Sequence, residues 1–580
     1  MDHDFRTTRS KSGKVQAEVI VLPDVDISDP DVYYDDEFDP IKTENFEESS
    51  TSSLNESVDL EEETDVKWTK EGPWIKLPQS VNTDENFEEL DGFHEPIDYF
   101  NFFFGDELME LIVSQSNIYA TQFGSTFRTH LEEIQKFVGI LLLMGIVRMP
   151  RYRCYWNKTL NYPTVSNTFS RDRFQQILKF IHFTNNDNLI TDPNSPIFDR
   201  FAKIRPFLDH LRTACLKIIP EVRHSIDEQI IPFKGKCKAK QYLPKKPSKW
   251  GFKVFARCGI SGIVYDFHIY AGKGPTVSQS CGLVSGDYVV KLAETLPTSK
   301  TYFLYFDNYF TSIPLQIFLK DRNIYSVGTI RRNRIKNCPL TPAKIFEKSG
   351  RGAYERAQSL RQGIVLSQWC DGSIVTLSST HSSLEPSLNV RRFNKRLQRM
   401  VNVECPNVVS EYNKNMGGVD LSDMLMALYR LEHKSSKFYM KIFMWGLNTA
   451  ITNAWLLYRR NSSVRKTPSK EVKDLLTFTV SISESLIYYK KRVVIPKRGR
   501  PSLDVCEDYD VINCRKRQKN NFLSDSIRFD NVGHYPNMNE SKSRCRVCKR
   551  NTQFACVKCL ATCCIVKGRN CFYDFHEKNN

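Results

Sequence analysis

Acidic residues interrupt apolar or glycine-containing stretches at three widely separated places in this 580-residue chain. Asp227 lies in EVRHSIDEQIIPF, Asp307 follows the aromatic run TYFLYF, and Asp420 and Asp423 lie three residues apart in YNKNMGGVDLSDM. An acid where a buried strand ends faces the crevice in which α/β proteins bind ligands, although Asp307 could instead cap the helix that follows it. The spacing of the last pair puts both carboxylates on one face of a helix.

The elements around these acids predict how they meet. Strand patterns come first, then a helical pattern, the strand that ends at Asp307, a second helical pattern and a last strand. The ranges are 221–233, 250–258, 263–271, 286–296, 301–306, 312–323 and 324–330. Three strands of hairpin type followed by helix, strand, helix and strand is the element order of an RNase H-like core. In that core, acids on the first and fourth strands lie side by side.

Several motifs, in this order, resemble the piggyBac transposases and the piggyBac-derived proteins over residues 93–580. They are DEQIIPFKG, KQYLPKKPSKWGFKV, YFDNYFTS, YNKNMGGVDLSD and, at the end, CFYDFH. The resemblance implies DNA strand cleavage and joining at TTAA targets, with Asp227, Asp307 and Asp420 as catalytic acids and Asp423 as a nearby fourth. The alternative is a domesticated DNA-binding or chromatin protein that keeps the fold but no longer moves DNA.

Converging carboxylates predict a metal, because they repel one another and stay ionised only beside cations. Hard oxygen ligands suit Mg²⁺, and two such ions about 3.5–4 Å apart can stabilise the attacking and leaving oxygens of an in-line displacement. We predict that Asp227, Asp307 and Asp420 hold two Mg²⁺ ions, with Asp423 assisting.

A second metal site is predicted near the end of the chain. Seven of the 17 cysteines follow Arg544, and two CxxC pairs are among them. Paired CxxC thiolates converge on one tetrahedral ion, so we expect two structural Zn²⁺ ions bound in interleaved fashion, as in RING or PHD modules, rather than disulfides. The pairing of ligands with each ion stays open, and Cys563 and Cys564 compete for one place. The candidate ligands are Cys545, Cys548, Cys556, Cys559, Cys563, Cys564, Cys571 and His576.

The charge distribution predicts a polyanion partner. Residues 24–65 hold 17 Asp or Glu and one Lys, so the rest of the chain carries 81 basic and 50 acidic residues, about +31. Double-stranded DNA is the expected partner, held in part by a lysine-rich ribbon between Phe233 and Cys258 that contains no acid. The lysines assigned to DNA are Lys234, Lys236, Lys238, Lys240, Lys245, Lys246 and Lys249.

A short basic motif, RGRP, contains Arg498 and Arg500. It resembles an AT-hook core, whose arginines enter the narrow minor groove at A·T pairs. The other interpretations are a plain linker or half of a bipartite nuclear-import signal. We expect the protein in the nucleus, with the import machinery as a further partner.

The predicted fold is α/β: an RNase H-like core with a β-rich insertion, preceded by a mainly helical domain and followed by a small zinc-binding domain. The resemblance makes the helical domain a dimerisation and DNA-binding domain, which implies a homodimer. The longest apolar run, residues 137–147, is too short to span a membrane. The predicted divisions are 1–92 (disordered and acidic), 93–220 (helical), 221–330 (core), 331–404 (insertion), 405–489 (core and helical support), 490–543 (basic linker) and 544–580 (zinc-binding).

Overall fold

The computed structural model describes most of the chain after the acidic region. The described residues are 5–9, 15–19, 66–71, 74–75, 87–488, 528–529 and 532–577, apart from the single positions 245, 247, 273, 383 and 396. Near the start, β1 (Phe5–Arg9) and β2 (Val15–Val19) pair antiparallel. Residues 24–65, with their surplus of acids, lie outside the described residues.

A short segment of the region predicted to be disordered is held against the body of the protein. The side chains of Val66 and Trp68 pack against an apolar cluster of the insertion. The backbone of Thr69 exchanges two hydrogen bonds with Gln358, at 2.8 and 2.9 Å. These contacts cover the edge of the main sheet, where unpaired backbone groups would otherwise be exposed.

Residues 93–220 are helical, as the periodic pattern predicts. The apolar run at residues 137–147 belongs mostly to the buried helix α3, which starts where the His130 ring accepts a hydrogen bond from the Glu133 backbone N–H. Gly139 of α3 leaves room for a close approach, because a Cβ there would lie 2.9–3.0 Å from Ile487 and Leu486. The six helices are α1 (Pro96–Phe104), α2 (Asp106–Gln122), α3 (Leu131–Ile146), α4 (Pro163–Ser166), α5 (Arg171–Phe180) and α6 (Arg205–Leu216).

The central sheet has the predicted RNase H-like order. The neighbouring strands run β6-β5-β3-β7-β8, with β3 antiparallel to β5 and parallel to β7. All five side chains of β7 are buried, which explains its aromatic sequence. The strands are β3 (Arg223–Pro232), β4 (Gln241–Tyr242), β5 (Trp250–Gly259), β6 (Val264–Ile269), β7 (Tyr302–Phe306) and β8 (Ile324–Thr329), and the helices between them are α7 (Val284–Ala293) and α8 (Ile313–Lys320).

The insertion extends this sheet. Its strand β11 pairs antiparallel with β8, and a hairpin at Asp371-Gly372 joins β10 to β11. Within the described residues the sheet therefore has nine strands. The last two strands of the insertion form a separate two-stranded ribbon. The elements are α9 (Ala343–Phe346), β9 (Tyr354–Ser359), β10 (Ile364–Cys370), β11 (Ile374–Ser379), β12 (Leu388–Asn394) and β13 (Arg399–Cys405).

Four helices follow the ribbon and pack behind the sheet. The 27-residue α12 is buried along most of its length, in agreement with the predicted helical support of the core. None of the described helices combines the length and the apolar character that crossing a membrane requires. The helices are α10 (Asn407–Asn415), α11 (Gly418–Leu428), α12 (Phe438–Val464) and α13 (Leu475–Ile487).

The cysteine-rich end of the chain forms its own small cluster of buried residues, in which cysteines predominate. It consists of two short antiparallel sheets and one helical segment, and most of its ligand-type side chains lie in the turns between these elements. The elements are β14 (Pro536–Arg544), β15 (Asn551–Cys556), β16 (Ile565–Val566), β17 (Arg569–Asn570) and the final helix, Cys571–His576.

Candidate active site and metal centre

The pairing of β3 with β7 sets two of the predicted acids side by side. The parallel register places Ile226 beside Phe306, and the next step along the same register places Asp227 beside Asp307. Asp307 comes directly after the last residue of β7. Its Oδ1 accepts a hydrogen bond from the Tyr309 backbone N–H at 2.9 Å. The cap of α8 is Ser312, so Asp307 is not that cap.

The third acid is carried by the first turn of α11. The Val419 backbone N–H donates a hydrogen bond to Ser225 Oγ at 3.1 Å, so the helix starts against β3 close to Asp227. Asp420 is exposed in this turn, and Asp423 lies half-buried three residues later. The helix thus presents both acids near the edge formed by β3 and β7.

The pKa of Tyr412 reflects the nearness of three of these acids. Burial raises the pKa of Tyr412, and the negative charges of Asp307, Asp227 and Asp420 raise it further. A single phenol therefore senses all three carboxylates. Burial also raises the pKa of Asp423, to about 6.

Glu228 is a further, half-buried carboxyl group that the sequence analysis did not assign to the site. Burial raises the pKa of Asp227 well above its ordinary value, and the charges of Glu228 and Asp307 add to the effect. Burial raises the pKa of Asp307 as well. The carboxyl groups thus repel one another in a partly dehydrated place, which is the condition that a bound cation relieves.

The acids at this edge are not gathered into one compact group of ligands. Among the described residues, the acids at this edge do not form a group of three whose ligand atoms all lie within 4.8 Å of one another. One ion needs such a compact group, because Mg²⁺ holds its ligands at about 2.0–2.1 Å. A single ion held by three of these acids would therefore require their side chains to move closer together.

The predicted lysine ribbon divides into two kinds of side chain. Those of Lys234, Lys236, Lys238 and Lys249 are exposed, as a surface for DNA requires. Two others are engaged within the protein: Lys246 Nζ lies 3.3 Å from Glu228 Oε1, and Lys240 Nζ donates to the Gly235 carbonyl at 3.0 Å. Lys245, Arg498 and Arg500 lie outside the described residues.

Lys253 is a cation of the site that sequence analysis did not select. Its side chain is buried, and its Nζ lies 3.8 Å from the centre of the Tyr309 ring. Burial lowers the pKa of Lys253, whereas the negative charge of Glu228 opposes the shift. The positive charges of Lys253 and Lys246 in turn hold the pKa of Glu228 down against the effect of its own burial. This lysine therefore offsets part of the negative charge at the acidic edge.

The cysteine-rich region contains two four-residue groups that are able to bind metal ions. Within each group, the ligand atoms all lie within 4.8 Å of one another. Along the chain the groups alternate, so the predicted interleaving is present. The first group is Cys545, Cys548, Cys564 and Cys571, and the second is His534, Cys556, Cys559 and His576.

His534 takes a place that sequence analysis gave to a cysteine. Its Nδ1 lies 3.3 Å from Cys556 Sγ and 3.2 Å from Cys559 Sγ. Cys563, by contrast, belongs to neither group, and burial raises the pKa of its thiol to about 12. The position of its sulfur outside both compact groups is what separates Cys563 from the ligands.

Two of the ligand side chains, Cys545 and His576, have hydrogen bonds that favour metal binding. Although burial of the Cys545 thiol opposes the shift, backbone N–H groups of Cys548 and Cys564 lower its pKa. His576 Nδ1 lies 2.8 Å from the Phe572 carbonyl oxygen, which leaves Nε2 facing Cys559 Sγ at 3.4 Å. A carbonyl acceptor on one ring nitrogen fixes the tautomer in which the other can bind a metal.

Fold and site together define the class that the motifs predict, an RNase H-like transposase. The family model described as "Transposase IS4" matches residues 95–455, more than half of the chain. Human PiggyBac transposable element-derived protein 3 is 30% identical over 473 residues, which cover 80% of this chain and 74% of that protein. Human PiggyBac transposable element-derived protein 2 is 26% identical, and the match covers 87% of this chain and 82% of that protein. The chain therefore belongs to the piggyBac family of transposase-related proteins.

A solved structure agrees with this assignment at the level of the fold. The piggyBac transposase, determined by cryo-EM as a synaptic complex with hairpin DNA, superposes with a TM-score of 0.58. It is 23% identical, and the match covers 70% of this chain and 83% of that one.

Proposed function

We propose that this protein is a piggyBac-type DNA transposase that cleaves DNA strands and joins them at TTAA targets. The observation that carries the proposal is the register of β3 and β7, which sets Asp227 beside Asp307. The helix with Asp420 and Asp423 is bonded to β3 and completes the acidic edge. Membership of the piggyBac family indicates the class of reaction, and the acids mark where in the structure that reaction would take place.

Asp227, Asp307 and Asp420 would hold the catalytic Mg²⁺ ions, and Asp423 would assist from the same helix. Bound Mg²⁺ neutralises charge on the phosphate and promotes ionisation of the attacking hydroxyl or water. The protein's own part is to fix these acids on a rigid sheet edge. Lys246 and Lys253 limit their mutual repulsion through Glu228.

Double-stranded DNA is the proposed substrate, and a homodimer in the nucleus is the proposed active form. The exposed lysines between β3 and β5 lie in the chain segment that follows Asp227, so they are suited to hold phosphates next to the acids. Two Zn²⁺ ions are proposed for the cysteine-rich region, because zinc in structural sites is bound by four thiolate or imidazole ligands and each group offers four. Arg498 and Arg500 remain candidates for minor-groove contacts.

The test is plasmid excision by the full-length protein with Asp227→Asn, Asp307→Asn and Asp420→Asn tested singly. Each variant is expected to lose excision by several orders of magnitude while it still binds DNA in chelator. Asp321→Asn is the matched control, because Asp321 is exposed at the end of α8 and should leave excision unchanged. Parental excision by any one of the three variants would refute the assigned triad.

A DNA-binding protein without strand transfer is the second candidate, favoured by the names of the relatives. Both human proteins are called transposable element-derived. The same assay separates the two functions. If the parental protein binds DNA with Mg²⁺ present but never excises, the chain keeps the architecture without the reaction.

A further inference from the structure

The two-stranded ribbon of the insertion exposes an unusual face. Its register pairs Arg391 with Asn402 and Phe393 with Met400, which puts these four side chains on the same side of the ribbon. Phe393 is 50% exposed and Met400 is 47% exposed. We call this side the outer face. Large apolar side chains beside a cation, on a surface that no described residue covers, mark a place where another molecule binds.

The opposite side of the ribbon is fixed to the protein. Val390, Val401 and Val403 pack in one apolar cluster with Trp369 of β10. The Trp369 Nε1–H also donates to the Glu404 carbonyl at 2.8 Å. The ribbon is therefore held at its base, and its outer face does not depend on a partner for its shape.

Two arginines tie the ribbon to the turn between β10 and β11. Arg392 Nε lies 2.9 Å from Asp371 Oδ2, and Arg351 Nε lies 2.5 Å from Asp371 Oδ1. Arg351 also donates to the Phe393 carbonyl at 3.2 Å. The positive charge of Arg392 is thus balanced within the protein by the Asp371 carboxylate.

The remaining cations of the ribbon point to a polyanion. The ribbon, residues 388–405, contains five Lys or Arg and one acid, Glu404, whose carboxylate accepts hydrogen bonds from Ser387 and Tyr354. The side chains of Arg391, Lys395 and Arg399 are exposed, and no described acid forms an ion pair with them. Phosphate contacts use such free cations, and a two-stranded ribbon has dimensions that enter the major groove of B-DNA. Exposed Phe393 and Met400 suit apolar contact with sugars and base methyl groups.

The ribbon shares a rigid body with the acidic edge. After Cys405, α10 begins at Asn407 and leads to α11. Val403 and Val408 pack in the same cluster as Tyr305 of β7, two residues before Asp307. DNA that lies at the acids is thus bound to the same rigid unit from which the ribbon projects.

We propose that the outer face and the tip of the ribbon bind duplex DNA beside the cleavage site, with Arg391 of the outer face and Lys395 and Arg399 at the tip on phosphates. This inference rests on the proposed function for its substrate. It assigns to the insertion a role in holding DNA.

The test compares two triple variants of the full-length protein that remove the same charge. The first is Arg391→Ala, Lys395→Ala and Arg399→Ala. The control is Lys344→Ala, Lys348→Ala and Arg361→Ala, three exposed cations elsewhere in the insertion. Affinity for a mixed-sequence DNA duplex is measured over a range of salt concentrations. The first variant should lower the slope of log affinity against log salt by about 0.9 for each phosphate that it no longer neutralises, and the control should not.

A single substitution tests the apolar part of the face. Phe393→Ser should weaken binding to the same duplex about tenfold without changing the salt slope, and Phe393→Leu should restore most of it. Sedimentation of each variant without DNA monitors self-association.

Three outcomes would overturn the inference: equal slopes for the two triple variants, parental DNA affinity in the first, or a change confined to self-association. The last would make the outer face an interface between copies of the chain. Failure of the proposed function is distinguishable, because it is judged by excision with the ribbon intact. A parental protein that does not excise, but whose DNA binding depends on the ribbon, leaves this inference standing.

Discussion

The backbone N–H of Val419 donates a hydrogen bond to Ser225 Oγ at 3.1 Å, which joins the first turn of α11 to β3 two residues before Asp227. Two acids that are distant in sequence, Asp227 and Asp420, are therefore positioned by one short contact. The contact is possible because residue 418 is glycine. A Cβ on Gly418 would lie 2.7 Å from Ser225 Oγ and still closer to the Gly259 carbonyl oxygen.

Gly418→Ala should reduce excision about a hundredfold, because α11 must move away from β3 and a shift of about 1 Å at reacting groups has that effect. DNA binding in chelator should stay parental, since the lysine ribbon is untouched. The matched control is Gly417→Ala, where a Cβ would meet nothing within 4 Å. Equal excision by the two variants would show that the close approach of α11 does not matter.

Lys253→Met should tighten Mg²⁺ binding at the acids by on the order of tenfold, because a buried positive charge beside them is removed. The measurement is calorimetric titration of the full-length protein with Mg²⁺, which does not depend on activity. Lys236→Met removes an exposed charge and serves as the control, with no change expected. Weaker Mg²⁺ binding by Lys253→Met would mean that Lys253 supports the acids in some other way than by its charge.

His534→Ala should lower the zinc content of the purified full-length protein by about one ion per chain, since the second ligand group then has three members. Cys563→Ala should leave the zinc content unchanged, because Cys563 lies outside both groups. Metal analysis after gel filtration measures both. A loss of zinc from the Cys563 variant, with His534→Ala at the parental level, would reverse the assignment.

Asp371→Asn should loosen the two-stranded ribbon of the insertion. Despite partial burial, the pKa of Asp371 is lowered by the hydrogen bonds that its carboxylate accepts from Arg392 and Arg351. A carboxylate with a lowered pKa stabilises the folded state above its ordinary pKa, about 3.9, and the effect disappears as pH falls through the lowered value. Faster amide hydrogen exchange in residues 388–405 is therefore expected at pH 7, and the difference from the parental protein should vanish once the pH is low enough to protonate Asp371 in the folded state. Asp321→Asn should exchange like the parental protein at every pH.

The central fold could be predicted because its elements have strong local patterns. The sequence pattern of the aromatic strand before Asp307 is typical only of a buried strand, and that of α12 is typical only of a helix. The order of these elements then determined which strands are neighbours. The extension of the sheet by β11 was not predicted, because pairing between β8 and β11 depends on contacts across about 50 residues.

The parts of the site that the sequence analysis missed depend on geometry that no spacing rule contains. His534 lies 11 residues before the first clustered cysteine, so nothing in the sequence joins it to them. The choice between Cys563 and Cys564 depends on which of two adjacent side chains faces the cluster. Lys253 looks like one lysine among eight, and only burial against Tyr309 distinguishes it.

The pairing of β8 with β11 has a mechanical consequence. No flexible tether separates the insertion from the acidic edge, because backbone hydrogen bonds run without a break from β9 through β8 and β7 to β3. A load applied to the insertion, such as the pull of a bent duplex, passes from strand to strand through these bonds and deforms the sheet elastically. The sheet therefore resists bending at the edge that carries the acids.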